Sequence, residues 1–358
     1  MITVTKTFLP PQEEYQAILK ESWEAGWITN RGPLVKKLEA KLMKHLDVPY
    51  VLALTNGTIP LQIAIKALGL TGEIITTPFS YVATTSSIVW EGCTPVFVDI
   101  HPKYLTIDET KIEAAITSKT SAILATHVYG NPCHIEEIEI IAKKHNLKVI
   151  YDAAHCFDIN YNGKSIFNYG DISTCSFHAT KLFHTGEGGA LFTNNSDLQN
   201  TLFYHHNFGH KGNEEFFGIG INGKMSEPQA AMGLAVLPYI EDIKAGREKV
   251  VNLYNNAFQN SNSLQLLTWR NGTDLNYAYF PIILKDEEIL LKVMDLFEAQ
   301  QIFPRRYFFP SLNTMPYLEY SKMPVAESIA KRVLCLPLYY GMDLVDVQRI
   351  IDVIKKVI

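Results

Sequence analysis

The sequence predicts an α/β protein, with a large domain built on a mainly parallel sheet and a smaller C-terminal α/β domain. Three observations lead there. Short apolar runs of strand length alternate with helix-length segments. Within those segments apolar residues recur three and four positions apart, the spacing of one helix face. At 358 residues and 47% hydrophobic, the chain can bury a core large enough for about two domains.

Element by element, "YVLAL" (Tyr50–Leu54) reads as a strand, and the helix after "TNGT" carries Leu61, Ala64, Ile65 and Leu68 on one face. "EIITTP", "TPVFVDI" (Thr94–Ile100) and "SAILATHVYG" continue the strand series. The helix "IEEIEIIAKKHN" leads into "LKVIYDAAH", and "ISTCSFH" and "GALFTN" complete the first region. A second region holds "YAYFPIIL", the helix "ILLKVMDLFEAQQ" and a last helix from about Leu344. No Gly/Ser-rich linker separates them, so the expected division, residues 1–240 and 241–358, is a soft one.

Composition narrows the function. A net charge of −5 gives no electrostatic case for nucleic acid or a membrane surface. No apolar run reaches the roughly 18 residues a spanning helix needs. The start, "MITVTKTFLPPQEEY", lacks an apolar signal core. Five scattered cysteines without CxxC spacing point to a reduced, cytoplasmic protein. "YHHNFGH" clusters His205, His206 and His210, but no cysteine or carboxylate completes a ligand set, so no metal is expected.

The chemistry lies in polar stretches at strand ends, where open α/β sheets bind ligands. In "TNGT", Gly57 permits close backbone approach, Thr58 adds a hydroxyl, and the following helix offers N–H groups to a phosphate. Asp152 ends an apolar strand, and a buried carboxylate needs a partner. In "SFHATKLFHTGEGGA", Lys181 stands among small and polar residues before a glycine-rich turn. Neighbouring parallel strands can bring Asp152 and Lys181 to one crevice. A carboxylate facing a pyridinium nitrogen and a lysine bonded to an aldehyde are the pair that pyridoxal 5'-phosphate requires. Proton transfer by that lysine calls for a pKa low enough to leave neutral amine, which its buried cationic setting is expected to arrange.

The ordered stretches "GWITNRGPLVKKLE", "TNGTIPLQIAIKALGL", "ITTPFSYVAT", "TPVFVDI", "THVYGNP", "YDAAH", "GDISTCSFHATK", "GEGGALFT", "GINGKMSEPQAAMGL", "RRYFFPSLN" and "CLPLYYGM" resemble the DegT/DnrJ/EryC1/StrS family of sugar aminotransferases across nearly the whole chain. The resemblance implies a fold-type-I enzyme with a seven-stranded-type sheet, pyridoxal 5'-phosphate as cofactor, L-glutamate as amino donor and a nucleotide-linked keto sugar as acceptor. It makes Lys181 the cofactor lysine, Asp152 the partner of the ring nitrogen, and Ser176, with Gly57 and Thr58, the phosphate site. Tyr81 falls where the family stacks an aromatic ring on the cofactor. His155 stands where many members have glutamine and is expected to meet the cofactor's phenolic oxygen. Asn222 matches an asparagine that reaches a phosphate across a homodimer interface, so the active sites are expected to be shared. Ser226 and Gln229 have capping-box spacing, which puts Asn222 in the loop ahead of a helix. Arg306 and Tyr307 are candidates for the diphosphate or sugar.

Within the family, the stretches around Lys181 and "RRYFFPSLN" look most like the branch making 4-amino-4,6-dideoxyglucose on dTDP, a precursor of O-antigen and related surface glycans. A 3-keto or a GDP- or UDP-linked acceptor is the alternative. A protein that holds the cofactor without turnover, and a different fold-type-I enzyme such as a lyase, are weighed as well. An intact Lys181, Asp152 and Ser176 favours catalysis, and a lysine where one branch of the family has histidine favours transamination over dehydration.

Overall fold

A computed structural model describes residues 1–358. Its central sheet has seven strands, ordered Tyr50–Leu54, Gly189–Thr193, Ile172–Ser176, Lys148–Asp152, Thr120–Thr126, Glu73–Thr76 and Thr94–Phe97. Every neighbouring pair is parallel except the two made by Gly189–Thr193, which runs antiparallel to both neighbours. Strands covered on both faces need continuous apolar runs, and Ala122, Ile123, Leu124 and Ala125 are accordingly all buried. The fold is the expected mainly parallel α/β architecture of fold type I.

The helix after "TNGT" spans Ile59–Ala67 and buries Leu61, Ala64 and Ile65, with Leu68 at its C-terminal cap. The expected strand Thr94–Ile100 stops at Phe97. Asp99 turns away instead: its carboxylate accepts hydrogen bonds from Val325 N and Ala326 N, 2.9 Å each, at the start of the helix Pro324–Arg332. A carboxylate at a helix N-terminus satisfies N–H groups that have no partner within the helix.

The C-terminal part forms a three-stranded antiparallel sheet, with Pro281–Leu284 between Leu264–Leu266 and Val333–Cys335. The helices Ile240–Phe258, Glu287–Ala299 and Leu344–Lys355 bury Val250, Tyr254, Val293, Phe297, Ile350 and Ile354 in one core with this sheet. The chain start crosses to the same part: Ile2–Thr3 pairs in parallel with Ile302–Phe303, and Ile2 is buried in that core.

Two placements prepare the site. Asp152 is the last residue of its strand and lies opposite Thr174 on the neighbouring parallel strand, two residues before Ser176. Glu227, fully buried, accepts from Leu34 N at 2.7 Å and Val35 N at 3.2 Å. That carboxylate ties the helix Glu227–Val236 to the first turn of the helix Pro33–His45.

Candidate active site

A cavity of about 350 Å³ opens at the carboxyl ends of the parallel strands. Gly57, Thr58, Tyr81, Asp152, His155, Ser176, Lys181 and Tyr307 all line it. Asn222 and Arg306 do not.

Asp152 is 5% exposed. Its Oδ2 accepts from Thr84 Oγ1 at 2.6 Å and its Oδ1 from Ala154 N at 3.2 Å. Behind Thr84 the hydroxyls continue: Ser80 Oγ and Thr84 Oγ1 are 2.7 Å apart, and Thr126 Oγ1 donates to Ser80 Oγ at 3.1 Å. No partner in this chain is a cation. The one positive charge acting on Asp152 is that of Lys181, whose Nζ bonds elsewhere. Burial raises the Asp152 carboxyl above the usual range, and the bonds from Thr84 and Ala154 and the charge of Lys181 offset this only in part.

His155 is buried and its Nδ1 accepts from Tyr129 N at 3.0 Å. That acceptor role puts the proton of the neutral ring on Nε2, which has no partner within the protein. Burial, then the charge of Lys181, holds His155 well below the usual imidazole value, so it faces the cavity as a neutral N–H donor. Its ring stacks on Phe308, centroids 5.6 Å apart and planes 6° off parallel.

The lysine sits in a tight turn. Lys181 N donates to His178 O at 2.8 Å, and Ala179 N donates to Gly186 O at 2.7 Å. A Cβ on Gly57 would stand 2.7 Å from Ser176 Cβ and 2.8 Å from its Oγ, so glycine alone lets these two segments meet. At Gly189 a Cβ would lie 2.2 Å from Asn56 O. The glycine after the lysine therefore makes room for the neighbouring loop. Gln229 fastens the same junction: its Oε1 accepts from Ser226 N at 2.9 Å, as the capping-box spacing predicts, and its Nε2 donates to Thr55 O at 3.1 Å and Glu187 O at 2.8 Å.

Three expectations change, for the loop at Thr58, for Arg306 and for Lys181, while that for Asn222 concerns a second copy and stands as it was. The N–H groups of Thr58 and Ile59, expected to be free for a phosphate, donate to Asn56 Oδ1 at 2.9 Å each, and Pro60 has none. What stays free in that loop is the N–H of Gly57 and the hydroxyl of Thr58, beside Ser176. Arg306 is turned away: its Nη2 donates to Glu287 Oε1 at 2.7 Å and Lys331 O at 2.9 Å, and the guanidinium lies 3.7 Å from the Phe309 ring centroid. Arg305 lines the cavity instead, its backbone bridged to Cys335 and its guanidinium without a protein partner. Neighbours on extended backbone point to opposite sides, so one arginine of the pair must face away. Asn222 is exposed, in the loop ahead of the helix Glu227–Val236, and contributes nothing to the cavity of its own chain. Lys181, finally, is held above the usual lysine value: burial works to lower it, but Tyr279, then Asp152 and Cys175, more than offset this.

Sequence reasoning missed Asn56, Thr84, Tyr279 and Arg305. Asn56 was legible as a capping residue within "TNGT", and Arg305 stood beside the arginine that was chosen.

The cavity meets the demands of pyridoxal phosphate: a buried carboxylate lacking a cation, a lysine within the same walls, a neutral N–H donor and a glycine cradle with free hydroxyls. The chain is a fold-type-I enzyme of that cofactor. It belongs to the DegT/DnrJ/EryC1/StrS aminotransferase family, whose description matches residues 11–355. Among its relatives is a dTDP-4-amino-4,6-dideoxy-D-glucose transaminase of Shigella dysenteriae, 41% identical, with 99% of each chain covered. A GDP-perosamine synthase of Escherichia coli O157:H7 is 33% identical over 93% of this chain and 91% of its own. The solved structure of DesI in the presence of its TDP-sugar product superposes with a TM-score of 0.93 at 30% identity, covering 99% of this chain and 92% of that one.

The electrostatics of Asp152 yield a signed prediction. Its value is raised by folding, so below the unfolded carboxyl value of about 4 both states carry the acid and nothing is lost. Above the folded value the buried charge destabilises the cofactor-free protein in full. Asp152→Asn removes that charge. Denaturation midpoints of cofactor-free protein should therefore favour the variant at pH 7–8 and converge towards pH 4, while turnover falls on the order of 100-fold or more. A variant less stable than the native protein at pH 8 would mean that Asp152 is already compensated.

Proposed function

We propose that this enzyme moves the amino group of L-glutamate to carbon 4 of dTDP-4-keto-6-deoxyglucose, giving dTDP-4-amino-4,6-dideoxyglucose. The observation that carries the aminotransferase site is the meeting of Lys181 with a cation-less Asp152 in one cavity. The sugar rests on the relative from Shigella dysenteriae, similar from end to end and so named. A GDP-linked acceptor is the competing reading, supported by the lower identity to GDP-perosamine synthase.

In this reading, bound pyridoxal phosphate supplies the electron sink for the pair released at the donor carbon. Lys181 would hold the cofactor's aldehyde carbon and, as a free amine, would move a proton to and from the donor's α-carbon. Asp152 holds the ring nitrogen protonated. His155 donates from Nε2 to the phenolic oxygen. Gly57 N–H, Thr58 and Ser176 hold the phosphate, and Tyr81, 60% exposed at the mouth, covers the ring. Arg305 and Tyr307 meet the anionic part of the substrates, since a guanidinium offers a planar fork to phosphate or carboxylate.

Asn222 completes the phosphate site of a second copy, which makes the enzyme a homodimer with shared active sites and two-part subunits dividing near residue 240. Support comes from the loop around Asn222, which exposes Phe208, Phe216, Phe217, Ile219 and Ile221. An apolar face of that kind calls for cover. A cytoplasmic setting is supported by five cysteines that are all free and buried. No helix is long and apolar enough to cross a membrane. The aminated sugar then serves an O-antigen or similar lipopolysaccharide or surface glycan.

Incubation with glutamate and a panel of dTDP-, UDP- and GDP-linked 3-keto and 4-keto sugars, followed by NMR of the products, tests the reaction. The 4-amino product on dTDP is expected to form at least about tenfold faster than any other, a difference of about 1.4 kcal/mol in the barrier. A faster GDP-linked or 3-amino product would replace the assignment. Mixing Asn222→Ala with Lys181→Ala chains tests the shared site. In a hybrid one site collects both lesions and the other neither, so part of the activity should return. Hybrids that form yet stay inactive would refute the role of Asn222.

A further inference from the structure

The Nζ of Lys181 makes a single hydrogen bond in the protein, 3.1 Å to the hydroxyl of Tyr279. Tyr279 comes from far along the chain, just ahead of the strand Pro281–Leu284. It lines the same cavity as Asp152, His155 and Lys181. The surroundings fix it. Its ring centroid is 4.7 Å from that of His155, 5.7 Å from Tyr129 and 6.1 Å from Tyr307. Below it, buried Asn276 donates from Nδ2 to the carbonyls of His155 at 3.0 Å and Phe157 at 2.8 Å, and its Oδ1 accepts from Ala278 N at 3.1 Å. The segment carrying the phenol is thus pinned to the segment carrying Asp152 and His155.

A second buried group holds the segment that carries the phenol. Arg247, 4% exposed, has no carboxylate partner; its Nη1 donates to Ala278 O at 3.1 Å, and its Nε has no partner. Burial lowers this guanidinium to about 10, with Tyr279 the one group working in the opposite direction. Through Ala278, the residue before Tyr279, this guanidinium helps to hold the segment that carries the phenol.

We propose that Tyr279 is a further catalytic residue: its oxygen is where Lys181 Nζ rests, and it exchanges a proton with that nitrogen whenever the lysine is not bonded to the cofactor. The inference rests on Lys181 being the cofactor lysine. The proton passes from the ammonium to the phenolate oxygen; an N–H bond breaks, an O–H bond forms, and the nitrogen regains its lone pair. The charge of the pair is zero before and after, nothing is oxidised or reduced, and no proton leaves for solvent. This resolves the difficulty that Lys181 is held above the usual lysine value although its chemistry needs the neutral amine. The partner that favours the charged form is also the acceptor that releases it. Arg247 holds Ala278, next to Tyr279, and acts only through that segment, as a positioning residue.

Tyr279→Phe keeps the ring and removes the oxygen. The first readout uses cofactor-free protein: trace acylation of Lys181 by acetic anhydride as a function of pH, read by peptide mass spectrometry, with circular dichroism as the check on folding. Tyr279 is the largest influence raising Lys181, so its loss leaves burial opposed only by Asp152 and Cys175. The labelling midpoint should fall by about one pH unit, which is about tenfold more neutral amine at a given pH. Tyr129→Phe removes a neighbouring phenol that does not touch Lys181 and should leave the midpoint in place. The second readout is the single-turnover rate of the cofactor-loaded enzyme with glutamate, expected to fall at least tenfold in Tyr279→Phe with the KM for glutamate little changed. Tyr279→His, which restores an acceptor, should recover part of that rate. An unmoved midpoint, an equal shift in Tyr129→Phe, or a native single-turnover rate overturns the proposal. Borohydride trapping of pyridoxal phosphate on some other lysine would instead overturn the functional reading, and leaves the acylation comparison standing.

Discussion

A carboxylate buried at the end of a hydrophobic strand, with no cation of its own chain bonded to it, governs the arrangement of this enzyme. Burying a charge without a counter-ion is costly, and Asp152 is kept in place by what surrounds it. The apolar run "KVIY" seats it on the parallel sheet, and register with Thr174 sets it beside the strand that ends at Ser176. Three hydroxyls from two segments, Thr84 and Ser80 on one and Thr126 on the other, run to it in sequence. These groups orient the carboxylate without discharging it. The fold thereby stores an electrostatic demand that a protonated pyridine nitrogen can answer, which is how a stable scaffold comes to favour one cofactor.

The rest of the cavity is held by segments from distant parts of the chain, joined where side chains are missing or where an amide reaches across. Gly57 meets Ser176, and Gly189 meets Asn56. Gln229 links the loop before Gly57 to the loop after Lys181 and to the start of its own helix. Asn276 binds the C-terminal part to the carbonyls just after Asp152. Because these contacts are backbone-directed, they fix the positions of the loops while leaving the cavity-facing side chains free for ligands. Movement between the two parts of the chain would carry Tyr279 with it and change the setting of Lys181.

Much of this was legible in the sequence. The strands are apolar because both sheet faces are covered, so their existence could be read, though not their order in the sheet; Thr94–Ile100 was overextended because Asp99 leaves the ladder to cap a distant helix. Asp152 and Lys181 were visible as charges in settings that a surface residue would not need. Thr84, inside a helix, and Tyr279, just ahead of a strand, were not, because such a hydroxyl looks like ordinary packing until a distant carboxylate or ammonium is placed against it. Arg305 and Arg306 show a sharper limit: composition offers two equal arginines, and only the pairing of Arg305 with Cys335 decides which one faces the cavity.

Everything in this site turns on whether Asp152 keeps the ring nitrogen of bound pyridoxal phosphate protonated. The most direct measurement is the ¹⁵N chemical shift of pyridoxal phosphate labelled at the ring nitrogen and bound to the enzyme, followed across pH. A pyridinium shift is expected to persist well above the pKa of the free cofactor and to revert to that of a neutral pyridine in Asp152→Asn. A neutral-pyridine shift in the native enzyme at pH 7 would contradict it.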